Sequence, residues 1–465
     1  MIQGAPLAVL GFFVALLLAA VAVKRSAWLA AMVTGIGFLT ALGVMPLSMH
    51  GVAMGSGNFD FSGATYGFWA VILSVGFLLC VMAAGYWRGA KNLPAEEFFI
   101  LLLVGSLGAC VLVAAKNFLF LFLGLEAMTL AMIGMIAYPR HRPEAGEAGI
   151  KYLILSAMSS AFLLFGMGLL ELATGSLGLA DVLAASKIPM VVAGLAMMGV
   201  AVGFKLSVVP FHIWVPDVYA GAPAPAGAFL AVVPKLAVLA VLLRVAGLPG
   251  AALGAGAEHV VSVVAALSML AGNLLALQQQ NVKRILGFSS IAHLGYLLVA
   301  ILAAGEVGRV AVVFYAVTYA LTMVAAFGVL AVLSSAGAAR DVETLADLRG
   351  LFWSRPALAA VMTLALLSLA GMPPAIGFIA KMYIFAAGVH QELWWLVGTM
   401  IASSVIGLFY YLSVILAMAQ RQSSAPAASG MQAGGRFVLG VVSLALLVLG
   451  VAPEPLIALV KAMIG

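Results

Sequence analysis

The amino-acid sequence predicts an all-α polytopic membrane protein with about fourteen transmembrane helices. Of the 465 residues, 65% are hydrophobic and only 8% are charged, and the mean hydropathy is +1.21. The apolar residues form continuous runs and do not alternate with polar ones, which favours helices over the strands of a β-barrel. We therefore expect a single membrane domain over 1–465, with no room for a separate soluble domain.

Each predicted helix is an apolar stretch close to or above the roughly 20 residues that a transmembrane helix requires. In chain order the predicted spans are 6–23, 27–46, 66–87, 95–115, 117–138, 146–174, 189–215, 222–246, 258–278, 284–304, 309–335, 356–387, 391–418 and 437–463. No basic region precedes the first apolar run, so this segment is predicted to stay as a helix and not to be cleaved as a signal peptide.

The basic residues predict the orientation of the chain. If Met1 starts outside, most of the 22 lysines and arginines lie in inner loops, namely Lys24, Arg25, Arg88, Lys91, Arg140, Arg142, Lys283, Arg284, Arg340, Arg349, Arg355, Arg421 and Arg436. The outer side holds only Lys116, Lys187, Arg244, Arg309 and Lys461. The positive-inside rule then places both termini on the outer side of the membrane. The basic net charge reflects this topology and does not indicate nucleic-acid binding.

Two predicted helices are interrupted. The seventh contains Gly-Phe-Lys-Leu-Ser-Val-Val-Pro at 203–210, and the twelfth contains Gly-Met-Pro-Pro at 371–374. Proline removes a backbone donor, and a broken backbone is tolerated at membrane depth only where it lines a cavity or packs in protein. Paired interruptions point to a binding or conduction site between inverted repeats. We place these repeats at 95–246 and 257–418, after N-terminal helices within 1–94 and before a C-terminal helix at 437–465.

Five charged residues lie at predicted membrane depth: Glu126, Lys151, Lys205, Lys235 and Lys381. A charge at the bilayer centre costs about 2.5–3.5 kcal/mol even on lenient insertion scales, and such residues normally face a polar interior and serve ion pathways. Lysines that are merely hydrogen-bonded to carbonyls are the weaker alternative. For Lys151, which is near the inner surface, extension of the side chain to the interface is a serious second interpretation.

Two long motifs surround these residues. Residues 203–225 read Gly-Phe-Lys-Leu-Ser-Val-Val-Pro-Phe-His-Ile-Trp-Val-Pro-Asp-Val-Tyr-Ala-Gly-Ala-Pro-Ala-Pro, and 272–296 read Gly-Asn-Leu-Leu-Ala-Leu-Gln-Gln-Gln-Asn-Val-Lys-Arg-Ile-Leu-Gly-Phe-Ser-Ser-Ile-Ala-His-Leu-Gly-Tyr. These motifs, and the chain over essentially its whole length, closely resemble the N-subunit family of bacterial NADH:quinone oxidoreductase, respiratory complex I. The resemblance implies an antiporter-like, proton-translocating subunit with fourteen helices and two inverted five-helix repeats. Sister subunits L and M and the Mrp-type cation/proton antiporters share that fold.

The resemblance also implies which residues carry protons. The family's functional glutamate in the fifth helix and its lysines in the sixth, seventh, eighth and twelfth helices fall on the same five residues that burial identifies. Met128 and Thr129 after Glu126, and Pro234 before Lys235, depart from the residues that are usual there. Pro234 leaves the local geometry of Lys235 open.

The chemistry of a buried lysine suggests a mechanism. Burial favours its neutral amine, whereas a nearby carboxylate favours its ammonium form. We therefore expect Glu126 to stabilise protonated Lys205, and separation of the pair to send the proton along water to Lys235. Lys381, past the midpoint of its span, would then release the proton outward.

Two histidines are further candidates. His293, in a motif with Ser289, Ser290 and Tyr296, could bridge the lysines because histidine titrates near neutral pH, although a packed, hydrogen-bonded histidine is equally compatible with the sequence. His212 lies near the inner end and is a candidate for proton entry. Asp217, in the Trp-Val-Pro-Asp turn that follows, could cap the next helix or gate proton entry, and capping is favoured.

Motifs for cofactors and metals are missing from the sequence: it has no G-x-G-x-x-G after a strand, no Gly-Lys-Ser/Thr phosphate loop, no cysteine cluster and no H-E-x-x-H. We therefore expect no cofactor or metal in this chain. The resemblance implies that NADH, FMN, iron–sulfur clusters and quinone bind partner subunits, and that the chain assembles with subunits A, H, J, K, L and M among membrane lipids.

Three other functions remain open from the sequence. These are an Mrp-type cation/proton antiporter subunit, the equivalent subunit of a related hydrogenase or ferredoxin-fed complex, and a structural scaffold. Lysine-only central sites disfavour sodium, which prefers oxygen ligands. The buried charges disfavour a scaffold.

The predicted orientation can be tested by labelling single cysteines at Ser56 and Arg140 in a background that lacks Cys80 and Cys110. The two positions lie on opposite sides in the predicted topology, so a membrane-impermeant thiol reagent should label Ser56→Cys from outside only and Arg140→Cys from inside only. Labelling of both positions from the same side would reject the topology.

Overall fold

The computed structural model describes residues 2–52, 57–88, 94–248, 254–303, 305–373, 375–421 and 433–464. Within these ranges every regular element is a helix, and isolated bridges join a few loop residues. The helices are α1 (Ala5–Val23), α2 (Ala27–Met49), α3 (Gly63–Trp87), α4 (Glu96–Ala114), α5 (Phe118–Ile136), α6 (Pro143–Thr174), α7 (Leu179–Ala184), α8 (Pro189–Leu206), α9 (Val215–Gly221), α10 (Ala224–Ala246), α11 (Ala255–Ala276), α12 (Val282–Leu302), α13 (Gly305–Leu333), α14 (Leu351–Ser354), α15 (Pro356–Ala370), α16 (Ile376–His390), α17 (Trp394–Ala419), α18 (Ala433–Val451) and α19 (Glu454–Ile464).

The all-helical membrane fold is confirmed. Thirteen of the described helices are long and apolar enough to cross a membrane, and the predicted span 356–387 consists of the two shorter apolar helices α15 and α16. The predicted seventh helix also ends early, at Leu206, where Ser207 takes a left-handed backbone conformation with φ 65°. Both interruptions therefore lie in the two helices in which the sequence placed them.

The last predicted span, 437–463, is wrong as a single helix. The structure divides it into α18 and α19, which meet at Ala452 and Pro453. A residue before proline disfavours the helical conformation, which explains why α18 ends at Val451. Ser56, Lys91 and Pro374, which the sequence interpretation used, lie outside the described residues.

Pairs of glycines bring helices into backbone contact at the start of each predicted repeat. A Cβ atom on Gly108 of α4 would lie 2.6 Å from the Met128 nitrogen of α5, and one on Gly272 of α11 would lie 2.7 Å from the Ala292 nitrogen of α12. Small residues allow such close approach of membrane helices. The repeat boundaries themselves remain a prediction.

Asp341, in the loop after α13, joins several elements at the predicted inner end of the bundle. Its Oδ1 accepts hydrogen bonds from Arg142 at 2.8 Å and from the Tyr86 hydroxyl at 2.7 Å. Its Oδ2 accepts from Lys283 of α12 at 2.8 Å and from the Ala224 N–H, at the start of α10, at 2.9 Å. Burial raises the pKa of the Asp341 carboxyl, but Lys283 and Arg142 lower it by more, so the net pKa lies below its ordinary value. This carboxylate therefore stays ionised and anchors the N-terminus of α10.

Arg244 anchors the opposite end of α10. Its guanidinium donates to the Ala115 carbonyl at 2.7 Å, to the Thr65 hydroxyl at 3.0 Å and to the Asp60 carboxylate at 3.3 Å, and also to the Val113 carbonyl. Between these two anchors, α10 is buried almost throughout. The helix that carries Lys235 is therefore fixed at both ends.

Replacing Asp341 with asparagine should strongly destabilise the protein, because Arg142 and Lys283 would remain buried next to a neutral group. Breaking a buried ion pair by removing one partner costs about 3–5 kcal/mol. The measurement is the amount of assembled complex in membranes and its thermal midpoint. Asp347→Asn is the matched control, since Asp347 lies in the same loop but pairs with Arg340, whose side chain is 56% exposed. Equal losses in the two variants would contradict the anchoring role.

Candidate functional site

Lys205 is buried at the C-terminal end of α8. Only 1% of the residue is exposed, and its Nζ donates to the Thr129 hydroxyl of α5 at 2.7 Å and to the Tyr152 hydroxyl of α6 at 3.5 Å. The last turn of a helix favours a positive charge because of the helix dipole. Lys205 therefore has polar partners on two neighbouring helices, and each of these partners is neutral.

Glu126 lies one turn before Thr129 on α5, and it is half-buried. Its carboxylate accepts a hydrogen bond from the Ser160 hydroxyl of α6. Glu126 and Lys205 form no ion pair with each other, but they are close enough to interact electrostatically. The Thr129 hydroxyl lies next to the Lys205 ammonium group, so the interaction between Glu126 and Lys205 is indirect.

Lys235 lies midway along α10 and is 1% exposed. Its Nζ donates to the Leu230 carbonyl of the same helix at 3.2 Å and lies 5.2 Å and 5.7 Å from the ring centres of Trp214 and Tyr219. Aromatic faces attract cations, most strongly when water is excluded. The surroundings therefore stabilise an ammonium group without a carboxylate in contact.

Lys381 lies just after the break between α15 and α16. Its Nζ donates to the carbonyl of Ala370, the last residue of α15, at 2.9 Å and to the Ser404 hydroxyl of α17 at 3.3 Å, and it lies 5.2 Å from the centre of the Tyr296 ring. The last carbonyls of a helix have no intrahelical donor. The interruption therefore supplies the acceptor for this lysine.

His293 is buried in a hydrogen-bonded group of hydroxyls. One ring nitrogen lies 2.6 Å from the Tyr315 hydroxyl and the other lies 3.1 Å from the Tyr411 hydroxyl, which also bonds to Ser289. The His293 ring is 5.6 Å from the Tyr296 ring. The predicted grouping of His293 with Ser289 and Tyr296 is therefore present in the fold.

A second polar group adjoins Lys381. Asn273 lies 3.1 Å from the Tyr296 hydroxyl and accepts from the Tyr410 hydroxyl at 2.9 Å, and Tyr296 also bonds to Ser403 at 3.1 Å and to Ser404 at 3.5 Å. Ser404 then contacts Lys381. Polar side chains therefore extend from Lys381 to the neighbourhood of His293.

Lys151 is not buried with the other lysines, which corrects the expectation from its position in the sequence. Its side chain is 42% exposed and forms ion pairs with Glu147 at 2.7 Å and with Asp217 at 2.8 Å. Asp217 also pairs with Arg284 at 2.6 Å; it lies inside α9, and it does not cap the next helix, because the N-terminus of α10 has no side-chain cap. Burial raises the pKa of Asp217, but its hydrogen bonds from Lys151 and Arg284 lower it by more. These residues line a cavity of about 230 Å³ at the predicted inner side.

The chain between Lys205 and Lys235 carries polar atoms that lack good protein partners. Among the described residues, three buried polar atoms have no hydrogen-bond partner at normal distance and angle: Ser207 Oγ, His212 Nδ1 and Tyr219 OH. The Pro210 backbone lies near His212, and Ser290 lies near Tyr219. Buried polar groups of this kind are usually satisfied by water. The half-buried His212 lies next to the cis peptide at Val209–Pro210 and outside any helix.

Buried lysines at two interrupted helices define this chain as an antiporter-like membrane subunit. The family model described as "NADH:quinone oxidoreductase/Mrp antiporter, TM" matches residues 115–407. The NADH-quinone oxidoreductase subunit N of Ectopseudomonas mendocina is 43% identical over 95% of this chain and 92% of its own length, and that of Chromohalobacter salexigens is 45% identical over 86% and 85%. The chain therefore belongs to the family of NADH-quinone oxidoreductase subunit N.

Solved structures agree with this assignment. A chain of respiratory complex I from Thermus thermophilus with bound aureothin has a TM-score of 0.85 at 32% identity and covers 98% of this chain and 99% of that chain. A chain of an archaeal membrane-bound sulfane sulfur reductase, with a TM-score of 0.86 over 99% of this chain and 96% of that chain, shares the fold at 23% identity. A chain of the Mrp complex from Dietzia, with a TM-score of 0.83 over 99% of this chain and 97% of that chain, shares it at 20% identity.

The family assignment fixes the class of function. The chain is a multi-pass, antiporter-like subunit of the complex I membrane arm, it takes part in proton translocation, and such a subunit carries no redox centre. Within the described ranges, no group of three or more histidine, cysteine, aspartate or glutamate side chains could hold a metal ion.

Proposed function

We propose that Lys205, Lys235 and Lys381 relay protons across the membrane, and that the charge of Glu126 controls the proton on Lys205. The observation that carries this proposal is a contrast within the chain. Lys283, which is also buried, has a carboxylate partner in Asp341 at 2.8 Å, whereas among the described residues the hydrogen-bond and ring partners of the three relay lysines are neutral oxygen atoms and aromatic rings. A contacting carboxylate stabilises the ammonium form of a lysine more strongly than neutral oxygen atoms and aromatic rings do.

Glu126, on α5, interacts with Lys205, on α8, through its charge and without direct contact. A negative charge nearby favours the ammonium form, and the low polarity of the interior strengthens this interaction. When α5 or the broken end of α8 moves, the distance between the two charges changes, and the proton on Lys205 becomes easier or harder to release. Ser160 holds the Glu126 carboxylate in place during the charged state.

The second half of the relay runs from Lys235 to Lys381. Water satisfies the unpaired polar atoms near the α8 break and links Lys205 to Lys235. His293 and its hydroxyl partners, followed by Tyr296 and Ser404, then lead towards Lys381. One ring nitrogen of a neutral imidazole donates a hydrogen bond and the other accepts one. His293 can therefore accept a proton on one side and release a proton from the other.

Proton entry involves the predicted inner side. Lys151, with its two carboxylate partners, lies at the mouth of the charged cavity there, and we assign it a role at this entrance and not in the buried relay. His212 lies on the connection between α8 and α9, and it is the candidate for passing protons inward from the entrance.

We further propose the assembly and orientation of the chain. The subunit N relatives and the respiratory complex I structure support a place in that complex, and we propose that the chain assembles there with subunits A, H, J, K, L and M, while NADH, FMN, iron–sulfur clusters and quinone bind partner subunits. The resemblance to the bacterial N-subunit family supports a location in the bacterial inner membrane, and the distribution of basic residues supports periplasmic termini.

Replacing Lys235 with methionine tests the relay. Methionine keeps the length and apolar packing but cannot carry a proton, so proton translocation and coupled quinone reduction should both fall at least tenfold in a fully assembled complex. Lys235→Arg should also fail substantially, because arginine stays protonated at any accessible pH.

The matched control is Lys461→Met, since Lys461 is an exposed lysine in α19. It should leave both activities unchanged. Normal pumping by assembled Lys235→Met would mean that Lys235 is structural and that protons follow another route.

A further inference from the structure

Pro234 lies inside α10, immediately before Lys235. Proline has no backbone N–H, so a proline within a helix leaves the carbonyl four residues earlier without its helical donor. In α10 that carbonyl belongs to Leu230. A buried carbonyl without a partner is costly, so the structure must satisfy it in another way.

The Lys235 side chain provides the missing donor. Its Nζ turns back along α10 and donates to the Leu230 oxygen at 3.2 Å. Both residues are buried, and the ammonium also lies over the Trp214 and Tyr219 rings. The carbonyl that Pro234 leaves open is therefore the oxygen to which Lys235 is hydrogen-bonded.

We propose that Pro234 is a positioning residue, which keeps the Leu230 carbonyl free so that the Lys235 ammonium has an acceptor inside an apolar helix. This inference rests on the proposed relay role of Lys235. A hydrogen bond to a charged donor is stronger than one between neutral groups. The open carbonyl therefore favours the protonated lysine without the permanent hold of a carboxylate.

The twelfth predicted span contains a second case of the same arrangement. There the helix break leaves the Ala370 carbonyl at the end of α15 open, and Lys381 donates to it at 2.9 Å. One lysine thus uses a carbonyl freed by proline, and the other uses a carbonyl freed by the end of a helix. Two independent origins of the same contact support a positioning function and argue against chance.

Pro46 provides an internal comparison, because it is the other proline inside a long described helix. It is exposed near the end of α2. Removing Pro46 restores a helical hydrogen bond in the same way as removing Pro234, but at a site far along the chain from the relay. Pro46→Ala is therefore a matched control for the general effect of removing a proline.

The test is Pro234→Ala in the intact complex. The backbone N–H that this substitution restores should bond to the Leu230 carbonyl, and cryo-electron microscopy should then show Lys235 Nζ displaced from that oxygen. Coupled quinone reduction should slow severalfold at alkaline pH, and the upper limit of its pH profile should move down by about one pH unit, because the ammonium has lost an acceptor. Pro46→Ala should match the wild type in both measurements.

Pro234→Gly also restores the N–H, so it should reproduce the shift if the alanine variant assembles poorly. A Lys235 Nζ still bonded to Leu230 together with an unchanged pH profile would overturn the inference. Normal pumping by Lys235→Met is a different outcome, because it would exclude the relay role of Lys235. The position of Lys235 Nζ in Pro234→Ala would still show whether Pro234 positions this lysine.

Discussion

An ammonium group inside an apolar helical bundle needs oxygen acceptors, and this requirement shapes the structure around the buried lysines. Inside an intact helix each carbonyl already accepts from an N–H group of the same helix, so a side-chain donor there must share an occupied acceptor. The chain supplies open acceptors by interrupting helices: Pro234 frees the Leu230 carbonyl for Lys235, and the end of α15 frees the Ala370 carbonyl for Lys381. Lys205 uses the Thr129 hydroxyl instead. Irregular backbone at membrane depth is thus the source of the polar contacts that a proton relay requires.

The same chain shows how a counter-ion separates a structural lysine from a relay lysine. Lys283 and Arg142 are buried against Asp341, and this cluster anchors α10 at its inner end, as Arg244 does at its outer end. Because α10 is held at both ends, Lys235 would be the stationary member of the proposed relay. Changes of distance are left to α5 and to the broken end of α8, where Glu126 and Lys205 interact across neutral groups.

Much of this could be predicted from the sequence, because continuous apolar runs, prolines and isolated charges are local signals. The helices, both interruptions and the buried positions of Lys205, Lys235 and Lys381 followed from them. For Lys151 the sequence left burial and extension to the interface as alternatives, and its 42% exposed side chain agrees with the second. Its contact with Asp217 depends on tertiary structure, because Asp217 is distant in sequence. The contact of Thr129 with Lys205 was not predicted, and the sequence shows Thr129 only as an unusual residue after Glu126. Its spacing of three from Glu126 on one helical face was the available signal, but contact with Lys205 depends on how α5 packs against α8.

The account depends most on the claim that the charge of Glu126 controls the proton on Lys205. The most direct measurement is the number of protons translocated per electron pair by Glu126→Gln, with electron transfer recorded in the same membranes. Glutamine keeps the shape and removes the charge, so electron transfer should continue in an assembled complex while the proton yield falls. Ser160→Ala removes the hydrogen bond to Glu126 but keeps the charge, and it should retain most of that yield. Wild-type electron transfer and a wild-type proton yield in Glu126→Gln would contradict the account.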